Sequence, residues 1–158
     1  CINPGFVLGD FLNEKSCTSM EYIKQLLQGK FPAAPKFSVM ISHVKDIARA
    51  HVLSLANKRA GGRRLIVGSE VRSILELSKI MAENLPSHAK KLPKKELPNF
   101  MVKLLSYIDT SAKNLVPDLG LTMQTDQTYA EEILQMKFLP SETAVVDAAK
   151  SVVRLKLA

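Results

Sequence analysis

The feature that most constrains this chain is the regular alternation of short apolar runs with amphipathic segments through its first half. The runs typical of β-strands lie at residues 2–8, 37–41 and 64–68. The third run is continuously apolar after Arg64, which is typical of a strand covered on both faces. The amphipathic segments that follow these runs have the apolar spacing of helices. Strand and helix in alternation predict an α/β fold.

Local signals predict where the helices begin and end. Three Ser/Thr–Glu pairs have the spacing of a capping box: Thr18 and Glu21, Ser73 and Glu76, and Thr128 and Glu131. Asp46 is predicted to be the N-cap of a helix over residues 47–56. Gly29 stands where a left-handed residue would end the first helix.

The second half is predicted to be helical with interruptions. Residues 98–115 carry an apolar stripe that we interpret as core packing rather than as a surface for a partner: Phe100, Met101, Leu104, Leu105 and Ile108. Residues 121–125 are predicted to form a short strand. The chain is expected to end on an amphipathic helix that follows Ser141.

Composition indicates the class of protein. The 158 residues are 46% hydrophobic and 23% charged, which is enough for one core and typical of a soluble globular chain of about one domain. No apolar run approaches the roughly 18 residues that a membrane span needs, so no membrane partner is expected. Cys1 and Cys17 have neither metal-binding nor redox spacing, which favours a reducing compartment, and we expect the cytoplasm.

The net charge of +7 raises the question of an anionic partner. Four lysines lie close together in a stretch broken by proline: Lys90, Lys91, Lys94 and Lys95. No aromatic residue lies among them and the chain has no Trp, so a solvated loop is favoured over a nucleic-acid surface. A nucleic-acid-binding module, which stays open as an alternative, requires Arg63 and Arg64 to share one face with these lysines.

No residues with the spacing of a self-contained active site are found. His43, His51 and His88 lie in different segments, and no zinc-binding or serine-hydrolase motif occurs. Cys17 has no evident histidine partner and is interpreted as a small buried or loop thiol. We therefore predict no catalytic residue and no metal ligand in this chain.

Five stretches taken together resemble a known family. They read NPGFVLG at 3–9, TSMEYIKQLLQG at 18–29, ISHVKDIARAHVLSL at 41–55, GGRRLIVGSEVRSILELSKIM at 61–81 and KFLPSETAVVDAAKSVV at 137–153. In this order they resemble the C-terminal half of an extended short-chain dehydrogenase/reductase. Within that family the chain is most similar to the dihydroflavonol-reductase-like aldehyde and ketone reductases.

The resemblance implies a Rossmann-like α/β fold with few parallel strands and a predominantly helical substrate-binding lobe. Residues 1–85 would form the end of the dinucleotide-binding fold with part of the substrate lobe, and residues 86–158 the rest of that lobe. In the family, a glycine-rich phosphate loop and a Tyr-x-x-x-Lys pair precede the Asn-Pro-Gly strand, and neither occurs in this sequence. The chain is therefore expected to be a truncated unit that is inactive alone and has the missing Rossmann half as its partner, and a homodimer stays open.

The resemblance also implies a cofactor, NADP or NAD, bound mainly by that missing half. In this chain it assigns six residues to the nicotinamide, its ribose and the phosphates: Pro4, Gly5, Phe6, Val7, Thr18 and Ser19. A strand that turns at Pro-Gly lies at the sheet edge where α/β folds bind ligands, and a helix N-terminus suits the negative charge of a pyrophosphate.

The implied substrate is a small carbonyl compound, for which Met20, Met40 and Phe6 are the predicted apolar contacts. The sequence departs from the family at Gly9-Asp10, where relatives continue Gly-Pro, and residues 10–17 border the substrate pocket in relatives. Two alternatives stay open beside the reductase: a fragment of a nucleotide-sugar epimerase or dehydratase, and a non-enzymatic remnant used for binding.

Overall fold

The computed structural model describes residues 1–15, 17–107, 113, 116–121 and 123–158. The strands are β1 (Ile2–Pro4), β2 (Phe6–Leu8), β3 (Ala34–Pro35), β4 (Ser38–His43), β5 (Leu65–Val67), β6 (Val71–Ser73) and β7 (Glu96–Leu97). The helices are α1 (Thr18–Leu27), α2 (Val44–Ala56), α3 (Ile74–Asn84), α4 (Asn99–Leu105), α5 (Thr128–Leu134) and α6 (Ser141–Arg154). Among these described residues, no helix has the length and apolar character needed to cross a membrane.

The strands pair in three small sheets that are mostly parallel. β1 pairs with β5 and β3 with β7, each in parallel. The third sheet has the order β2-β4-β6, in which β2 and β4 are parallel and β6 is antiparallel to β4. The predicted α/β class with parallel strands is thus confirmed, and the antiparallel β6 is an addition to it.

The predicted strand at residues 2–8 divides at Gly5 into β1 and β2. The Gly5 N–H donates to Ser42 Oγ at 2.8 Å, and the Ser42 hydroxyl donates to the Val67 carbonyl at 2.6 Å. One buried hydroxyl therefore joins the sheet of β1 and β5 to the sheet that contains β2. A Cβ at Gly5 would collide with the Met40 carbonyl oxygen, so the division requires a residue without a side chain.

The main core lies where α6 packs against both α1 and α3 and covers β2 and β4. Its fully buried side chains include Leu8, Ile23, Ile41, Leu77, Ala148 and Val152. Burial of each large aliphatic side chain contributes roughly 1.5–3 kcal/mol. A second, smaller core joins β5 to α5 and α2 through Ala50, Leu65, Val67, Ile133 and Leu134. The last helix of the chain is therefore central to the fold.

One of the three predicted capping boxes forms. Ser73 Oγ accepts the Glu76 N–H at 3.2 Å, and Glu76 Oε2 accepts the Ser73 N–H at 2.7 Å. The predicted box at Thr18 is wrong because Thr18 is already inside α1, and Glu21 instead accepts hydrogen bonds from Lys24 and Gln25.

The predicted box at Thr128 is also wrong. Gln127 is the N-cap of α5 and makes no side-chain cap bond, while Asp126 accepts the Thr128 N–H at 2.9 Å. Gly29 has the predicted left-handed conformation, with φ of 77°.

The prediction of Asp46 as an N-cap is wrong, because α2 begins at Val44, two residues before Asp46. His43 is the N-cap, and its Nδ1 accepts the Lys45 N–H at 3.1 Å. Asp46 is buried, and its carboxylate accepts the Leu139 N–H at 2.7 Å. The acid therefore fastens the segment before α6 to α2.

The predicted core stripe over residues 98–115 is wrong for three of its members. Phe100, Met101 and Leu104 are exposed on α4, which buries Val102 instead. Ile108 and the side chain of Leu105 lie outside the described residues. The strand predicted at 121–125 does not form at 121 or 123–125, and residue 122 is not described. The predicted helix after Ser141 is confirmed as α6.

Candidate functional site

A cavity of about 480 Å³ lies at the carboxyl ends of the parallel strands β2 and β4. The two strands end in register at Leu8 and His43. The cavity is lined by residues 5–8, by the turn at residues 9–11, by residues 17–19 and by Val44, the first residue of α2. Because ligands of α/β folds bind outside the carboxyl ends of the strands, this cavity is the candidate site.

Five of the six residues predicted to contact a cofactor line this one cavity. They are Gly5, Phe6, Val7, Thr18 and Ser19. The sixth, Pro4, is exposed, pairs with Val67 at the end of β1 and does not line the cavity. That these residues bind a cofactor stays a prediction.

The two predicted substrate contacts, Met20 and Met40, lie in the interior. Met20 is 1% exposed and belongs to the main core, and Met40 is 5% exposed. Met40 fills the space beside two glycines, because a Cβ at Gly68 would lie 2.8 Å from its Sδ and a Cβ at Gly5 would meet its backbone. Neither methionine lines the cavity.

The cavity has an apolar wall and a polar wall. Phe6, Val7, Phe11 and Val44 provide the apolar surface. The polar wall is the start of α1, where residues 17–19 carry a thiol and two hydroxyls, and Ser19 Oγ lies 3.5 Å from Cys17 Sγ. The N–H groups of a first helical turn have no partner within the helix and attract anions. The cavity is therefore suited to a ligand with an apolar part joined to a negatively charged part.

The rim of the cavity is formed by residues 9–11 and 43–44. Its acid is Asp10, whose charge is balanced within the chain. Asp10 Oδ1 lies 2.8 Å from Ser151 Oγ and 2.7 Å from Arg154 Nη2. The Ser151 hydrogen bond, followed by the hydrogen bond from Arg154, holds the pKa of Asp10 below its usual range. Asp10 is therefore an ionised group engaged by α6.

Tyr22 lies behind the apolar wall. Its ring contacts Phe6 edge-on at 6.0 Å between centroids and Phe31 at 5.3 Å, and burial raises its pKa. A tyrosine that gives a proton to a carbonyl oxygen needs a pKa shifted toward neutrality. Tyr22 has the opposite shift and, like Tyr107 and Tyr129, does not line the cavity.

Sequence reasoning missed Ser151 and Arg154 as residues that contact the rim. It also did not single out six of the residues that line the cavity: Leu8, Gly9, Asp10, Phe11, Cys17 and Val44. Phe11 lies in the segment of residues 10–17, which has no periodic pattern. Only the family resemblance, which puts this segment beside the substrate pocket, pointed to it. Ser151 and Arg154 carry a signal that could have been used, since they are polar positions three residues apart on an amphipathic helix.

Two curated proteins are similar in sequence over about half of this chain. Tetraketide alpha-pyrone reductase 2 of Arabidopsis thaliana is 31% identical over 87 residues, which are 55% of this chain and 27% of that protein. Cinnamoyl-CoA reductase CAD2 of Medicago truncatula is 36% identical over 86 residues, or 54% of this chain and 26% of that protein. The matches thus span about a quarter of each relative. No protein-family model matches the chain.

Solved structures match nearly the whole chain in fold. Gre2 from Candida albicans, solved in complex with NADPH, superposes with a TM-score of 0.71 at 24% identity, covering 98% of this chain and 43% of Gre2. A nucleoside-diphosphate-sugar epimerase from Pseudomonas aeruginosa gives a TM-score of 0.76 at 18% identity, covering 99% of this chain and 48% of the epimerase. The predicted resemblance is confirmed: in sequence and in fold, this chain is similar to part of an extended short-chain dehydrogenase/reductase.

Proposed function

We propose that this chain forms the nicotinamide-ribose side of the cofactor pocket, and the adjoining substrate wall, of an NAD(P)H-dependent reductase that acts on carbonyl compounds. The observation that carries the proposal is the convergence of Gly5, Phe6, Val7, Thr18 and Ser19 on one cavity at the ends of two parallel strands. Support for the chemistry comes from the two sequence relatives, which are both reductases, and from Gre2, which was solved with NADPH.

In this proposal the two walls of the cavity have different tasks. Phe6 and Val7 give the planar ring of the cofactor an apolar surface that excludes water, and Gly5 lets the backbone approach it. Thr18 and Ser19 face the charged part of the cofactor from the start of α1. The bound cofactor supplies hydride chemistry, and the residues of this chain orient it.

The proton donor and the phosphate loop are not assigned to this chain. Among the residues that the structure describes, no tyrosine lines the cavity. The sequence has no Tyr-x-x-x-Lys pair, and its glycines lack phosphate-loop spacing. We propose that another polypeptide segment supplies both, and that these 158 residues do not reduce a substrate by themselves.

The alternative within the same fold is epimerase or dehydratase chemistry on nucleotide sugars. The likeness to the Pseudomonas epimerase favours it, but at 18% identity that likeness shows the fold alone. The relatives at 31% and 36% identity are reductases, and for that reason the reductase is preferred.

Ligand titration followed by NMR tests the proposal on this chain. Reduced nicotinamide mononucleotide is expected to shift the amide resonances of residues 5–11, 17–19 and 44. Phe6→Ala should weaken its binding about tenfold, because the apolar wall is lost. Phe100→Ala is the matched control, since it removes an exposed ring on α4 and should leave binding unchanged. The proposal is overturned if the shifts lie elsewhere, or if UDP-glucose shifts the cavity residues and the mononucleotide does not.

A further inference from the structure

The last helix, α6, carries a polar stripe formed by Asp147, Ser151 and Arg154. These residues are spaced by four and three positions, so they lie on one face of the helix. Five of the apolar side chains of α6 are buried in the main core: Ala144, Val145, Ala148, Ala149 and Val152. The polar stripe contacts the residues that form the rim of the cavity.

The Ser151 hydroxyl holds the backbone of the rim. Its oxygen accepts the Phe11 N–H at 2.9 Å. The same oxygen lies 2.8 Å from Asp10 Oδ1 and 2.8 Å from the Asp147 carbonyl oxygen. A hydroxyl has one proton to donate, and an ionised carboxylate is the stronger acceptor. Ser151 therefore joins the Phe11 amide to the Asp10 side chain.

Arg154, in the last turn of α6, also binds Asp10 and Phe11. Its Nη2 donates to Asp10 Oδ1 at 2.7 Å and to the Phe11 carbonyl oxygen at 2.9 Å. Its Nη1 lies 3.5 Å from Asp10 Oδ2. A planar guanidinium that binds a carboxylate and a backbone carbonyl together fixes direction as well as distance.

Asp147 contacts the other side of the rim through His43. Asp147 Oδ2 lies 3.3 Å from His43 Nε2, and His43 Nδ1 accepts a backbone N–H, so Nε2 carries the proton. The His43 ring packs against Gly9, where an added Cβ would lie 3.3 Å from Cε1, and the next residue, Val44, lines the cavity. The polar stripe thus contacts two segments of the rim. Ser151 and Arg154 bind residues 10–11, and Asp147 binds His43.

We propose that the polar stripe positions the rim of the cavity, so that α6 determines the cavity's shape and its affinity for a ligand. Ser151, Arg154 and Asp147 are positioning residues, because they act through residues 9–11 and 43–44. The inference rests on the proposed function only for the identity of the ligand. Because coupling between two sites is reciprocal, a ligand in the cavity should also protect the last turn of α6 from opening.

Hydrogen exchange on the free chain tests the positioning directly. In a Ser151→Ala, Arg154→Ala double variant, amides of residues 9–15 should exchange about tenfold faster than in the wild type, because the rim loses its anchors. Lys150→Ala removes an exposed cation one turn before Arg154 on the same helix and should leave this exchange unchanged. Equal exchange of residues 9–15 in the wild type and the double variant would overturn the proposal, provided that thermal unfolding shows both to be folded.

Ligand affinity gives the second readout. Arg154→Ala should weaken binding of reduced nicotinamide mononucleotide about fivefold, and Arg154→Lys, which keeps the charge, should recover part of the loss. Faster exchange with unchanged affinity would overturn the claim that α6 sets the affinity of the cavity. If the wild type does not bind the mononucleotide, the proposed function fails, and hydrogen exchange alone decides whether the polar stripe positions the rim.

Discussion

Helices α3 and α4 both carry apolar side chains at helical spacing, and they are placed differently in the molecule. In α3, Ile74, Leu77 and Met81 are at most 1% exposed and pack in the main core beside α6. In α4, Phe100 is 70% and Leu104 66% exposed. An apolar stripe therefore predicts which face of a helix is available for burial, whereas the rest of the fold decides whether that face is covered.

The starts of the helices differ as well. Ser73 closes a complete capping box at α3, and the N-cap of α4 is Pro98, which makes no side-chain cap bond. A cap and a buried stripe act together to stabilise α3. In α4 neither contribution is present among the described residues.

Truncation of one leucine in each helix should show the largest difference between α3 and α4. Leu77→Ala should lower the free energy of unfolding by about 3 kcal/mol, because it leaves a cavity in a packed core. Leu104→Ala should change it by less than about 0.5 kcal/mol, because the side chain is already in water. Urea unfolding followed by circular dichroism measures both. A comparable loss at Leu104 would mean that the apolar face of α4 is covered in solution.

Removal of the helix cap at Ser73 should give the next largest loss of unfolding free energy. Ser73→Ala removes the hydroxyl that accepts the Glu76 N–H and should cost about 1 kcal/mol of unfolding free energy. Thr18→Ala is the matched control, since Thr18 lies inside α1 and makes no cap bond, and it should change the free energy of unfolding by only about a few tenths of a kcal/mol in either direction. The same urea titrations compare the two. Equal losses would show that a box forms at Thr18 in solution.

The smallest effect is a dependence of stability on pH. The Ser73 N–H, with the Ser73 hydroxyl and Arg72, holds the pKa of Glu76 below its usual range. A lowered carboxyl pKa stabilises the fold above the unfolded pKa, and this stabilisation is lost as the pH falls through the folded pKa. The difference in unfolding free energy between wild type and Glu76→Gln should therefore shrink as the pH falls below about 5. A difference that is constant with pH would contradict the lowered pKa.

The sequence predicted what depends on local pattern. The alternation of strands and helices, the left-handed Gly29 and the box at Ser73 all rest on neighbours a few residues apart, and each is present in the structure. The three wrong cap assignments, at Thr18, Asp46 and Thr128, concern residue types that commonly cap helices. At Asp46 a tertiary bond to Leu139 takes the carboxylate that a local cap would use.

The candidate site was predicted in part. The cavity residues of β2 and α1 lie in stretches that resemble a known family, and the structure brings them together. The contacts of Ser151 and Arg154 with Asp10 and Phe11 join residues more than 100 positions apart. No local pattern specifies which loop such a polar stripe meets, because that depends on how α6 packs across the sheet.

The Ser42 hydroxyl at the junction of β1 and β2 also provides a spectroscopic handle. Its side chain is fully buried, and its proton is directed at the Val67 carbonyl while its oxygen accepts the Gly5 N–H. Such a proton is shielded from solvent, so it should give its own slowly exchanging resonance in proton NMR. Because Gly5 also lines the cavity, the frequency of that resonance would report changes in the cavity from a position that no ligand touches.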